Sequence, residues 1–105
     1  MTKHSPGPWV VRSEDRFSLV ARCEVLTEGG LSIAGIWHHI PEDPAEANAH
    51  LISAAPDMLE ALKECLDAEL ARRQKLLPGA PATTYCEARI AKIRAAIAKA
   101  EGRAP

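Results

Sequence analysis

Apolar and polar residues alternate along the first forty positions and recur at steps of three and four along the rest, so the chain reads as a β part followed by a helical part. Pro6-Gly7-Pro8 forces a turned or extended start. Trp9, Val10 and Val11 then open a short strand that ends in the polar run Ser13-Glu14-Asp15-Arg16. From Phe17 to about Leu26, the residues Phe17, Leu19, Ala21, Cys23 and Val25 alternate with Ser18, Val20, Arg22 and Glu24. This predicts a strand with one apolar face and one solvent face. Glu28-Gly29-Gly30 supplies a tight turn tolerant of positive φ, and Leu31 to Trp37 returns as a third strand with Leu31, Ile33, Gly35 and Trp37 on one side. The expected product is a three-stranded antiparallel meander.

Helix begins at a marked boundary, where Asp43 can cap the free amides, Pro44 suits the first helical position and Glu46 sits three after the cap. Between Glu46 and Leu62 two apolar stripes lie side by side. Asn48, Ile52, Ala55, Leu59, Leu62 and Leu66 form one, and Ala47, Leu51, Ala54 and Met58 form the other, so both faces require cover. Pro56 lacks an amide proton and crowds the carbonyl four residues back, which predicts a kink or break near Ala54-Ala55. A longer helix then runs through Leu59, Leu62, Leu66 and Leu70 until Pro78-Gly79. Thr84 with Glu87 reads as a capping box opening the last helix, and Gly102 reads as its carboxyl cap. Along that helix Cys86, Ile90, Ile93, Ile97 and Ala100 make one narrow seam, suited to a single antiparallel partner helix. The expected fold class is α+β: a three-stranded antiparallel meander followed by a kinked helix and a long antiparallel helical hairpin. We expect a single domain over 1–105, with a β-sheet part at 1–40 and a helical part at 43–102.

Composition changes this picture little. An apolar fraction of 47% with 26% charged residues is that of an ordinary globular chain, and a formal charge of -1 provides no overall field to draw it to nucleic acid or an anionic membrane. The three cysteines, Cys23, Cys65 and Cys86, are odd in number and lack CxxC spacing, which argues for reduced thiols over a disulfide framework or structural zinc. No signal-like or membrane-length apolar run is present, so the expected location is the cytoplasm of the cell that makes the protein.

Candidate chemistry is sparse. His38, His39 and His50, with Glu42 and Asp43 nearby, are metal-ligand types, but adjacent strand residues point to opposite faces and do not readily chelate one ion. We expect neither metal nor cofactor. Asn48 falls on an apolar stripe, where an amide is costly unless bonded, so it either satisfies a neighbouring backbone group or faces a ligand. Trp9 and Trp37 are expected to fill the interior of a chain with four aromatics. Arg89, Lys92, Arg94, Lys99 and Arg103 read as a solvated face, although Arg89 and Lys92, one turn apart, could grip a phosphate. Arg72, Arg73 and Lys75 suit the negative end of a helix.

Three blocks together carry a resemblance: HSPGPW at residues 4–9, EANAHLISAAPDMLEALKECL at 46–66 and ARIAKIRAAIAKAEG at 88–102. As a set they resemble a family of small phage and prophage proteins, over nearly the whole chain. The resemblance implies an accessory protein made by a bacteriophage inside its bacterial host, and it carries no catalytic residues to transfer. His38-His39 and the proline-rich loop at 78–84 depart from the pattern. A small sheet followed by two long helices is also similar in architecture to certain phage sponge proteins, which sequester cyclic-nucleotide or ADP-ribose immune signals. The leading expectation is a non-enzymatic protein that counters a host defence system by binding, either trapping a nucleotide signal or covering a host immune protein. Its expected ligand-binding residues are Trp37, His38 and Asn48 near the strand-to-helix junction, with Arg89 brought from the last helix of the same or another chain. Alternatives are a structural or regulatory phage adaptor that oligomerises through its helices, and a small metal-dependent hydrolase using His38, His39 and His50. Exposed sheet edges and a helix with two apolar faces further predict a homodimer or larger oligomer.

Overall fold

A computed structural model of the chain describes residues 4–14, 21–38 and 45–103, and within these the side chains at positions 14, 21, 22, 37 and 38 are left aside. Three strands, β1 (Trp9–Glu14), β2 (Ala21–Thr27) and β3 (Ser32–His38), are followed by helices α1 (Ala45–Ser53), α2 (Ala55–Gln74) and α3 (Pro81–Ala100). The α+β reading, with a meander and three helical segments, therefore holds. The expected start of the second strand at Phe17 and the Asp43-Pro44 cap lie outside the described residues. Contacts divide the chain into two compact units, Met1–Asp57 and Met58–Pro105, and each is described by itself.

In the first unit the strands form an antiparallel sheet in the order β1-β2-β3. Gly30, at φ 91°, makes the turn between β2 and β3, and the Thr27 amide donates to the Leu31 carbonyl at 2.9 Å to close it. Helix α1 packs across all three strands. Cys23, Val25 and Ala49 form the buried centre, with Trp9, Val11, Ile33, Ala34, Ile36 and Ile52 packed against it.

Two readings of facing residues need correction. The first concerns β3, where Val25 pairs with Ala34 but Leu26 pairs with Ser32, so Ile33 is an inserted residue. Beyond that bulge Ala34 and Ile36 take the α1 side, and Ile33 no longer shares a face with Gly35 and Trp37. The second concerns β2, whose supposed solvent face is buried at Glu24 (7% exposed). As the central strand, β2 has a neighbour on each side, and the Arg12 guanidinium donates to the Glu24 carboxylate at 2.7 Å.

Helix α1 also turns a different face inward from the one expected. Ala45 and Ala49 are buried with Ile52 beside them, whereas Asn48 and Leu51 are exposed. The small side chains let the helix approach the sheet closely, and Asn48 falls just outside that contact. Helix α1 stops at Ser53 and α2 restarts at Ala55, as Pro56 predicts. The amino-terminal turn lies against this break: a Cβ on Gly7 would stand 3.0 Å from Pro56 Cβ. The Trp9 indole N–H donates to the Ser5 carbonyl at 3.2 Å and holds the turn in place.

In the second unit, α2 from Met58 onward runs antiparallel to α3, because Glu69 meets Cys86 and Arg89 while Lys63 meets Glu101. Leu59, Cys86, Ile90, Ile97 and Ala98 are buried, with Leu62, Leu66, Leu70 and Ile93 half-buried. Helix α3 starts three residues before the Thr84 box, at Pro81, with Ala80 as a cap that makes no side-chain bond. Proline suits this position because the missing amide would be unpaired in any case. The Thr83 hydroxyl instead donates to the Leu77 carbonyl across the turn. The far end is the expected glycine stop: Gly102 sits at φ 73°, and the Arg103 and Gly102 amides donate to Ala98 and Lys99 carbonyls.

Candidate functional site

The four expected ligand residues fall in both units. Trp37 and His38 end β3, in register with Arg22 and Ala21 of β2 respectively, and as consecutive strand residues they occupy positions on opposite faces of the sheet. Asn48 stands on the exposed side of α1, so the burial cost that singled it out does not arise. Arg89 belongs to the second unit. Of the supposed metal set, His50 is one turn from Glu46 at 3.8 Å and His39 lies outside the described residues. Among the described residues no three histidine, cysteine or acidic side chains come together as metal ligands.

Arg89 is already engaged. Its guanidinium donates to Glu69 Oε1 at 3.2 Å, and the Cys86 thiol donates to Glu69 Oε2 at 3.1 Å and lies 3.4 Å from the Glu69 carbonyl. Arg72 adds a second cationic neighbour at 3.8 Å. The thiol hydrogen bond, then the charges of Arg89 and Arg72, hold the Glu69 carboxyl below the ordinary carboxylate value against the opposing effect of desolvation. Burial, followed by the bond to Glu69, pushes the Cys86 thiol up. A thiol that resists ionisation and has no exposed surface is a poor nucleophile, and through Glu69 the cluster ties α2 to α3. The sequence carried one signal of it: Glu69 follows Leu62 and Leu66 at steps of four and three, a carboxylate in the apolar phase of α2.

Two other surface features went unread in the sequence. Leu77 (77% exposed) and Tyr85 (68% exposed) stand at the closed end of the hairpin, where the Thr83 bond to Leu77 holds the turn. Along one side of the hairpin runs a groove of about 480 Å³, lined by Leu66, Ala91, Ala95, Ile97 and Ala98 with Arg94 and Arg103 at its border. Neither has a signature in the pattern, since an exposed leucine or a run of alanines is common on any helix.

No described helix is long and apolar enough to cross a membrane. Comparison with curated proteins and with solved structures gave no match. Against models of protein families, residues 1–104 match the one described as Salmonella phage P22 protein Y8K6, and with nearly its full length covered the chain belongs to that phage protein family.

Proposed function

We propose that this phage protein is a non-enzymatic accessory factor that counters a host defence system by binding, and that it does so by covering a host protein surface. The observation that supports this best is the exposure of Leu77 and Tyr85, the two most exposed large apolar side chains among the described residues, both at the turn end of the hairpin. Tyrosine is favoured at such surfaces because it brings contact area with few rotatable bonds. Nucleotide trapping is the weaker branch: the arginine that would grip a phosphate is held by Glu69, and freeing it would leave that carboxylate and the Cys86 thiol to find other partners. The adaptor reading is favoured by a different face of the hairpin.

The test is infection. A phage deleted for this gene should plate poorly on host strains carrying one particular defence locus and normally on strains without it, with plating restored by the protein supplied in trans. A Leu77→Ser/Tyr85→Ser double variant should keep its helical circular dichroism and fail to restore plating. Equal plating of the deletion phage on every host would remove the counter-defence reading. A rise in melting temperature with cyclic nucleotides or ADP-ribose would return the nucleotide branch to first place.

A further inference from the structure

The groove on the hairpin is bordered by cations, while the helix beside it carries anions. Arg94, Lys92 and Lys99 of α3 have no ion-pair partner among the described residues, and the same is true of Glu60, Glu64 and Asp67 of α2. All six are exposed. Lys63 locates the acidic row relative to the groove. Its ammonium bonds Glu101, which bonds Arg103 of the groove border, so Lys63 lies on the groove side of α2. Glu60 and Asp67 stand three before and four after Lys63, on the same helix face. The groove side of the hairpin thus presents an anionic edge along α2 and an apolar floor of leucine, isoleucine and alanine, with the cations Arg94 and Arg103 on the α3 side and the acid Glu87 one turn before Ala91 toward the hairpin turn.

Such a surface complements itself under one rotation. Leu66 and Arg94 line the same groove, which puts Asp67 level with Arg94, and the Lys63–Glu101 pair puts Glu60 near the level of Lys99 and Arg103. A two-fold axis parallel to the helices lays α2 of each copy over α3 of the other without changing level. Asp67 then faces the second copy's Arg94, and Glu60 faces the second copy's Lys99 and Arg103. A two-fold across the helices would lay α2 on α2, acid against acid, which costs energy. We propose that a second copy of this chain docks on the groove face about an axis parallel to α2 and α3, forming a symmetric four-helix contact. The alanines at 91, 95 and 98 let the helices approach closely, and the paired charges fix the register. This holds whatever host factor the protein meets.

The rotation makes a charge-swap experiment decisive. In an Arg94→Glu homodimer both 94–67 contacts become repulsive, and the same is true of an Asp67→Arg homodimer. In a mixed dimer of the two variants one contact is reversed and the other native, and both are attractive. Full-length wild type at high micromolar concentration should sediment as a dimer, each variant alone should sediment as a monomer with unchanged helical circular dichroism, and an equimolar mixture should regain the dimer. Added salt should weaken association, as exposed charge pairs require. If either reversal disturbs folding, Arg94→Gln and Asp67→Asn replace them, each expected to raise the dimer dissociation constant about tenfold. A monomeric wild type, dimers that survive either reversal, neutral variants that leave association unchanged, or a mixture of folded variants that remains monomeric would each overturn the proposal.

Discussion

The sheet unit and the hairpin unit are built on different economies of contact. In the first, α1 lies across three paired strands, so a few small side chains such as Cys23, Val25 and Ala49 suffice for a buried centre. In the second, two helices meet along one seam, and a seam leaves most of each helix wet. Polar ties therefore share the load: Glu69 with Cys86 and Arg89 near one end, Lys63 with Glu101 near the other. Layered packing conceals its ties from water, whereas a two-helix seam exposes them to pH, salt and partners.

Truncation of the seam should give the largest effect. Ile90, 2% exposed, is central to it, and Ile90→Ala is expected to lower unfolding free energy by about 3 kcal/mol in denaturant titrations, through lost burial and a cavity. Hydrogen exchange should place the loss of protection in α3 more than in β2. A cost below about 1 kcal/mol, the scale of an ordinary surface change, would mean that the seam is not what holds the hairpin.

Acid and alkali should then separate the polar ties from the apolar ones. The Glu69 carboxyl is lowered in the folded state, so its contribution is full above the ordinary value of 4.5 and is lost as pH falls from there through the lowered value. Glu101 behaves likewise, lowered by Lys63 and Arg103. Thermal melts of Glu69→Gln should accordingly show a flatter acid limb than wild type without abolishing it. The Cys86 thiol is raised, so its contribution is full below the ordinary value of 9.0 and is lost as pH rises from there through the raised value. Cys86→Ala should flatten the alkaline limb, and an unchanged limb would show that the thiol contributes nothing as an acid.

A smaller effect is expected in the sheet unit. In Gly7→Ala the new methyl would press on Pro56 at 3.0 Å, and the turn must shift by a few tenths of an ångström, costing about 1 kcal/mol in a denaturant titration. No change would mean that the amino-terminal turn is not docked on the helix break. Asn48→Ala should have the least effect on stability, within about 0.5 kcal/mol, since the side chain is exposed. If plating of the phage fails with that stable variant, Asn48 acts in binding.

The order of elements was readable because it rests on local chemistry: Gly29-Gly30 for a hairpin, Pro56 for the helix break, Gly102 for a stop. What could not be read was phase. Residues 46–62 are small or apolar on more than one face, so periodicity alone could not decide that Ala45 and Ala49 turn inward and Asn48 outward. Thr84 and Glu87 satisfied a capping pattern, yet Pro81 three residues earlier starts the helix, because two sound local signals competed and the turn at Leu77 decided between them. The Glu69–Cys86 bond was hidden for a related reason, since a thiol in an apolar seam reads as a small hydrophobe until its partner is seen.

The inserted Ile33 has a consequence for how this hairpin can change over generations. A strand of strict alternation tolerates no gain or loss of one residue, because every position downstream would swap sides. Here the extra residue is slack: losing it would straighten the pairing between Leu26 and Ser32 while Ala34, Ile36 and the positions of Trp37 and His38 keep their sides. Strand β3 can thus shorten by one residue while its pairing with β2 beyond Ala34 keeps the same register.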